Sequence, residues 1–388
     1  MTDSGPQASA SLEALADRAA AAGDRVAAAR LLEQAIGAGA GGIETWMKLS
    51  AMRRAGGDTA GALQAVEQAL ALEPLNFLAL LSRAHLLEKA GDPRAGEAFA
   101  VAAFHAPAED KLPPAIHSAL AHARARGEEH QREVEQRLLR AVPADLSPAE
   151  RSRLERFASN SARRTRHYHQ EPTHFHFPGL PEIEFHDPAG FAGLDMLAAA
   201  AADIRDEFKA LIAAEAGELV PYVRYPDQVP VGQWQELNHS RRWTAIHLLR
   251  NGERVEANAR HCPRTMELLA ELPQPQVPGA SPNAMFSLLA PRTRIPPHSG
   301  VANTRLVAHL ALIVPDGCGF RCGATTRQWR EGEVFVFDDT IEHEAWNDSE
   351  HLRVVLIVDL WPPALTVRER QAIGSVIAAA GVSFTGGM

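Results

Sequence analysis

The dipeptide Gly-Asp occurs at residues 23–24, 57–58 and 91–92, so its three copies recur at a spacing of 34 residues. A fixed period of this length constrains the fold more than any composition figure, because each unit must offer the same faces to its neighbours. Other positions keep the same register. Ala22, Gly56 and Ala90 align, as do Ala28, Ala62 and Gly96, and Ala35, Ala69 and Ala103. Glu33-Gln34-Ala35 returns as Glu67-Gln68-Ala69, and Leu12, Trp46 and Leu80 form a large apolar position. Small residues let paired helices approach, and glycine supplies the turn between them. Pro74 stands where the second unit's helix must stop. The break at each Gly-Asp argues against one continuous Ala-rich coiled coil. Residues 10–107 therefore read as stacked helix pairs, and three such units are enough for a stable array.

This period is similar to the tetratricopeptide repeat. Residues 108–158 look helical but aperiodic, with stripes at Ile116, Leu120 and Ala123 and at Val134, Leu138, Leu139 and Val142. They are expected to be a degenerate further repeat or a capping helix pair. Residues 159–176 are polar and basic, with Arg163, Arg164, Arg166, His167, His169, His174 and His176. The spacing of these histidines matches no standard ligand set, so the segment reads as an extended linker. A chain of 388 residues is too long for one small core, which leaves residues 177–388 for a second domain. The net charge of −9 argues against a general nucleic-acid binder. No basic-then-apolar leader is visible, and no run approaches the roughly 18 apolar residues of a membrane span. Cys262, Cys318 and Cys322 fit a reducing, cytoplasmic setting; Cys318 and Cys322 are too few for zinc and read as reduced strand-end thiols.

The second domain centres on residues 298–361. Three short apolar runs, 306–315, 333–337 and 354–360, are bounded by Gly, Pro, Asp or Asn and read as buried strands. A further strand is expected at 284–290 and another within 234–249. Residues 191–215 and 258–272 read as helices, the first placing Leu197, Ala201, Ile204, Phe208 and Leu211 on one face, against the outside of the sheet. His298 precedes the first of the three strands, His343 follows the second, and Arg353 opens the third. Such residues could line the mouth of a small β-barrel or jelly roll, a common place for a ligand. Two neutral imidazoles suit a transition metal with open positions, although buried histidines are also often only hydrogen-bonded. The usual non-haem iron carboxylate is missing, because the second residue after His298 is Gly300.

The stretch resembles the aspartyl/asparaginyl β-hydroxylases, a family of Fe(II)- and 2-oxoglutarate-dependent oxygenases. The resemblance rests on His298-Ser299-Gly300, Arg305-Leu306 with His309, Cys318 to Cys322, Trp329, Gly332, and Phe337-Asp338-Asp339-Thr340. It continues through Glu342-His343-Glu344, Trp346, Arg353 and Asp359-Leu360-Trp361, with Phe177-Pro178-Gly179-Leu180-Pro181 as the opening motif. The family lacks the usual carboxylate, so Gly300 becomes support. The resemblance implies a double-stranded β-helix of jelly-roll or cupin type in which His298 and His343 bind Fe(II). It also implies that Arg353 pairs with the distal carboxylate of 2-oxoglutarate, Ser287 hydrogen-bonds that carboxylate, and Trp243 and His309 line its pocket. O2 and 2-oxoglutarate would then drive hydroxylation, with succinate and CO2 as products. Asp339 is expected to act from behind the ligands, orienting a bound water or His343, with direct ligation as the alternative. Arg305 could hold a substrate carboxylate; the alternative is an ion pair inside the rim. One departure is Val307, where the family commonly has a second arginine for the keto acid end of the cosubstrate. The expected substrate is an aspartyl or asparaginyl side chain in a peptide or protein gripped in part by the repeats. A lipid acyl chain, a small acidic molecule, or a non-catalytic binding role for the whole chain are the alternatives.

Overall fold

Gly23, Gly57 and Gly91 all have left-handed backbone, with φ of 83°, 87° and 69°. In each case the following aspartate N–H donates back across the turn, Asp24 to the Ala19 carbonyl, Asp58 to Arg53 and Asp92 to Leu87, at 2.9 Å. This is the bond that closes a helix on a left-handed cap, and only glycine adopts that backbone without strain. The aspartate side chain then starts the next helix, Asp24 accepting from the Ala27 N–H and Asp58 from Gly61. Each Gly-Asp is therefore the turn of a helical hairpin. The hairpins are Gly5–Ala21 with Arg25–Gly37, Ile43–Ala55 with Thr59–Leu72, and Phe77–Lys89 with Ala95–Phe104. This computed structural model describes residues 5–39 and 41–380.

Ala28, Ala35, Ala62, Ala65 and Ala69 are fully buried between the helices, as small contact residues require. The helix Pro114–Arg140, 27 residues long, covers the third hairpin. A Cβ on its Gly127 would come within 2.8 Å of the Ala100 Cα, so the two helices approach backbone to backbone. This single long helix, with Pro148–Ser161 beyond it, caps the array instead of repeating it.

The chain divides into two units between Arg166 and His167. The expected linker at 159–176 is thus two different things. Its first residues end the Pro148–Ser161 helix, whereas Gln170 bridges to Ile341 and Phe175 to Ala302 inside the second unit.

In the second unit the described strands form two antiparallel sheets. The larger runs, edge to edge, Phe185–His186, Val334–Phe337, Leu306–Ile313, Arg353–Leu360, Ala284–Leu289, Trp243–Arg250 and Val220–Pro221, with Glu253–Arg254 attached to the Trp243 strand. The smaller runs Thr293–His298, His343–Asn347, Cys318–Cys322 and Thr325–Arg327. Side chains alternate across the larger sheet with period two. One face, including Ile246, Phe286, Leu310 and Leu356, packs on Leu197, Ile204, Phe208 and Leu211 of the helices Leu194–Ala199 and Ala201–Ala213. The other face, including Ala245, Val307, Phe337 and Val355, meets Ile295, Phe320 and Ala345 of the smaller sheet. Burial on both faces is why these strands are continuous apolar runs, and why each core residue contributes about 1.5–3 kcal/mol. Two facing antiparallel sheets with helices outside make the jelly-roll arrangement expected. Among the described residues no helix is long and apolar enough to cross a membrane.

Candidate active site

His298 ends one strand of the smaller sheet and His343 opens its neighbour, and the two residues are direct partners in the ladder. Their ring centroids are 4.0 Å apart. Both histidines thus stand at strand ends, as expected, but on two strands too polar to read as such from the sequence. Each Nδ1 points at a main-chain carbonyl two residues back, His298 to Pro296 at 2.7 Å and His343 to Ile341 at 3.1 Å. A carbonyl only accepts, so Nδ1 carries the proton and Nε2 keeps its lone pair. Burial holds His298 neutral down to about 4 and pushes His343 well below the usual imidazole range. Two neutral imidazoles with tautomers set by the backbone are suitable donors for a divalent transition metal.

Asp339 lies directly against Gly300. A Cβ at Gly300 would fall 2.2 Å from Asp339 Oδ2, so the bare glycine and the buried aspartate are one steric feature. Asp339 Oδ2 pairs with Arg305 at 2.9 Å, while Oδ1 is buried without a partner. Burial raises its pKa to about 6, with Arg305 opposing the rise. Asp338 is fully engaged elsewhere, accepting from the Thr340 N–H and hydroxyl and from the Gln170 amide.

Arg353 is 2% exposed, yet no carboxylate among the described residues pairs with it. Its Nη1 donates only weakly to the Ser287 carbonyl and hydroxyl at 3.3 and 3.4 Å, and its Nε has no acceptor. The guanidinium lies 5.0 Å from the Trp329 ring, whose Nε1–H is also unpartnered, as is His309 Nδ1. Burial depresses Arg353 to about 10. A buried cation costs several kcal/mol unless an anion meets it, so this corner is built for one. Ser287 also receives the Trp243 indole N–H at 3.1 Å, and Trp243 stacks on Tyr222 at 3.9 Å. Trp243, Ser287, His309 and Arg353 thus come together on the inner face of the larger sheet, opposite the two histidines. They line one cleft of about 1520 Å³, its open mouth included. Val307 stands on the same face beside His309 and leaves that wall apolar.

Arg305 lines this cleft, but its charge is met by Asp339 and by Asp359 at 3.3 Å. Asp359 in turn accepts from the Ser281 hydroxyl at 2.6 Å and the Asn283 N–H at 2.8 Å. The rim ion pair is therefore what the geometry displays.

Residues 198–363 match the profile described as aspartyl/asparaginyl beta-hydroxylase. This segment is an aspartyl/asparaginyl beta-hydroxylase family domain. The chain is 33% identical over 175 residues to the aspartyl/asparaginyl beta-hydroxylase of Homo sapiens, covering 45% of this chain and 21% of that one. It is 32% identical over 213 residues to the human aspartate beta-hydroxylase domain-containing protein 2, covering 54% and 55%. With the ornithine lipid ester-linked acyl 2-hydroxylase of Rhizobium tropici it shares 39% identity over 125 residues, 31% and 42% of the two chains. It therefore spans between about a fifth and about half of these relatives' own lengths.

Apart from its cleft, the second unit holds a feature that local spacing hid. His167 and His169 meet Glu182, with His169 Nδ1 3.1 Å and His167 Nε2 3.6 Å from Glu182 Oε2. These three exposed side chains could also hold a metal ion. The third donor lies beyond the Phe177–Pro181 turn, which is why the histidine spacing alone matched no ligand set. Tyr222 was missed as well, since nothing in its neighbourhood in the sequence marks it as a wall of the cleft.

Proposed function

We propose that this chain is an Fe(II)- and 2-oxoglutarate-dependent dioxygenase that hydroxylates the β-carbon of an aspartyl or asparaginyl side chain in a peptide or protein. The observation that carries this reading is Arg353, a buried guanidinium with no counterion among the described residues, facing two neutral imidazoles across the cleft. A planar guanidinium meets a carboxylate through two parallel hydrogen bonds, so Arg353 and Ser287 would hold the distal carboxylate of 2-oxoglutarate. His298 and His343 would hold Fe(II) through Nε2. With O2 and 2-oxoglutarate, bound iron supplies the oxidising chemistry, leaving succinate and CO2. Ile295, Phe320, Phe337 and Ala345 wall the site and limit water. Asp339 would accept a hydrogen bond at Oδ1 from a water near the metal, held in place by Arg305 through Oδ2. Arg305 keeps donors to spare for a substrate carboxylate. Val307 leaves the keto acid end with one cation fewer, so cosubstrate binding should be weaker than with arginine there. The helical array would take hold of the polypeptide around the target, as concave helical stacks do. The three buried free thiols suit a reducing, cytoplasmic setting.

Succinate formation with Fe(II) and 2-oxoglutarate, measured with and without aspartyl and asparaginyl peptides, tests the reading. Stimulation by a peptide that gains one oxygen is expected; a protein that never consumes 2-oxoglutarate would refute it. The likeness to an acyl 2-hydroxylase favours a second reading, hydroxylation of a lipid acyl chain. An acyl-lipid arm in the same assay separates the two.

A further inference from the structure

The strand Trp243–Arg250 alternates faces until its far end. Trp243, Ala245 and His247 face the cleft side, whereas Thr244, Ile246 and Leu248 face away or join the helix-packed core. Strict alternation would turn Leu249 inward and Arg250 outward. A register shift between His247 and Leu249 breaks the pattern: Leu249 packs with the helix-side core and Arg250 lines the cleft. Bulges of this kind re-aim side chains next to binding sites. Arg224, which follows the Val220–Pro221 strand, lines the same end.

Arg224 and Arg250 have no ion-pair partner among the described residues, unlike Arg305 deeper in the cleft. Glu253 lies across the ladder from Arg250 and is exposed, without an ion pair joining them. The half-buried His247 has a buried Nδ1 with no hydrogen-bond partner. Both guanidiniums lie close enough to oppose its protonation. The two carboxylates lining the cleft, Asp339 and Asp359, are already held by Arg305. Two cations and an orphaned imidazole therefore gather where no anion among the described residues answers them.

We propose that Arg224, His247 and Arg250 form an anion subsite at the outer end of the cleft, receiving an acidic side chain of the substrate polypeptide. This rests on the peptide-hydroxylase reading and specifies its substrate class: a target residue followed or preceded at a set distance by Asp or Glu. His247 is four residues along the strand from Trp243, about 13 Å at the usual rise, and Trp243 lies 6.3 Å from the His298 ring. An extended peptide covers that span in about four residues, so the acid belongs roughly three to four positions from the hydroxylated side chain. Planar guanidiniums fit a carboxylate fork, and a chain of net charge −9 is repelled by an anionic bilayer, which favours the peptide over a lipid headgroup.

The test uses the full chain and fluorescein-labelled decapeptides carrying one central Asp, with Glu, Gln or Lys placed four residues to either side. Binding is read by anisotropy on wild type, on the Arg224→Gln, Arg250→Gln double variant, and on Arg250→Glu. On wild type, Glu should bind about tenfold tighter than Gln from one side, as a desolvated charge pair allows. That preference should vanish in the double variant. Arg250→Glu should prefer a Lys peptide, a gain that a misfolded protein cannot show. Equal binding of Glu and Gln peptides on wild type, or a Glu preference that survives in the double variant, overturns the subsite. Arginine-dependent binding of dioleoylphosphatidylglycerol vesicles, with peptides indifferent, overturns the peptide occupant. Consumption of 2-oxoglutarate by wild type with Fe(II), with and without the peptides, reports the parent reading separately: its absence under both conditions removes the dioxygenase assignment whatever the binding curves show.

Discussion

Arg353 gives up hydration without gaining a counterion, and that debt predicts a separation of stability from function. Arg353→Met should leave the unliganded fold equally stable or more so, because an unpaired buried charge disappears. The same variant should lose about 2–5 kcal/mol of 2-oxoglutarate binding, the usual cost of removing one partner of such a pair. Melting curves and cosubstrate titration check both halves; an unchanged titration would remove Arg353 from the site. Gly300→Ala makes the opposite demand. Its Cβ would sit 2.2 Å from Asp339 Oδ2, so the carboxylate must move, and turnover should fall at least tenfold while the fold persists. Circular dichroism with succinate output decides it. His247 adds a pH dependence. Burial, aided by Arg250 and Arg224, lowers its pKa from 6.5 to about 4. The unfolded ring takes a proton near 6.5 and the folded ring only near 4, so its contribution is fully present above 6.5 and is lost as pH falls toward 4. Denaturation midpoints at several pH values should fall less steeply for His247→Gln than for wild type; parallel curves contradict this. The motif-bearing residues His298, His343 and Arg353 were legible because polar groups at the ends of apolar runs stand out. Tyr222 and Glu182 were not, because their roles arise from neighbours distant in sequence.

Among elements, legibility followed burial. Arg353–Leu360 is buried at every position and was readable as an apolar run within one residue of its start. Thr293–His298 and His343–Asn347 are partly exposed, and Pro296-Pro297 argues against a strand, so the sheet that carries both histidines was invisible as a sheet. The helix expected over 191–215 is broken at Ala200, and Pro263 splits the one expected over 258–272 into Glu256–Ala259 and Pro263–Glu271. Val367–Ala379, started by a Thr366/Glu369 capping box, was not anticipated at all. The repeat helices were the clearest, since their period is enforced by the three glycine caps. At their end, Gly127→Val should cost about 1–3 kcal/mol, because the added carbons meet the Ala100 backbone at 2.8 Å, and a backbone cannot rotate away. A melting temperature equal to wild type would mean the helices separate freely.

At the scale of the molecule, every core cluster among the described residues stays within one unit. A chain beginning at His167 should therefore fold, and it should keep turnover of a short peptide while losing affinity for a protein substrate by about tenfold or more, the gain expected from a second linked contact. Equal kinetics on both substrates would make the repeats bystanders. Within the second unit, the paired histidines belong to the smaller sheet, whereas Trp243, Ser287, His309 and Arg353 belong to the larger. A single dicarboxylate reaching from one to the other would act as a tie across the sandwich. Its departure as succinate would then loosen the two layers at the moment product must leave, so the spent cosubstrate would itself open the door.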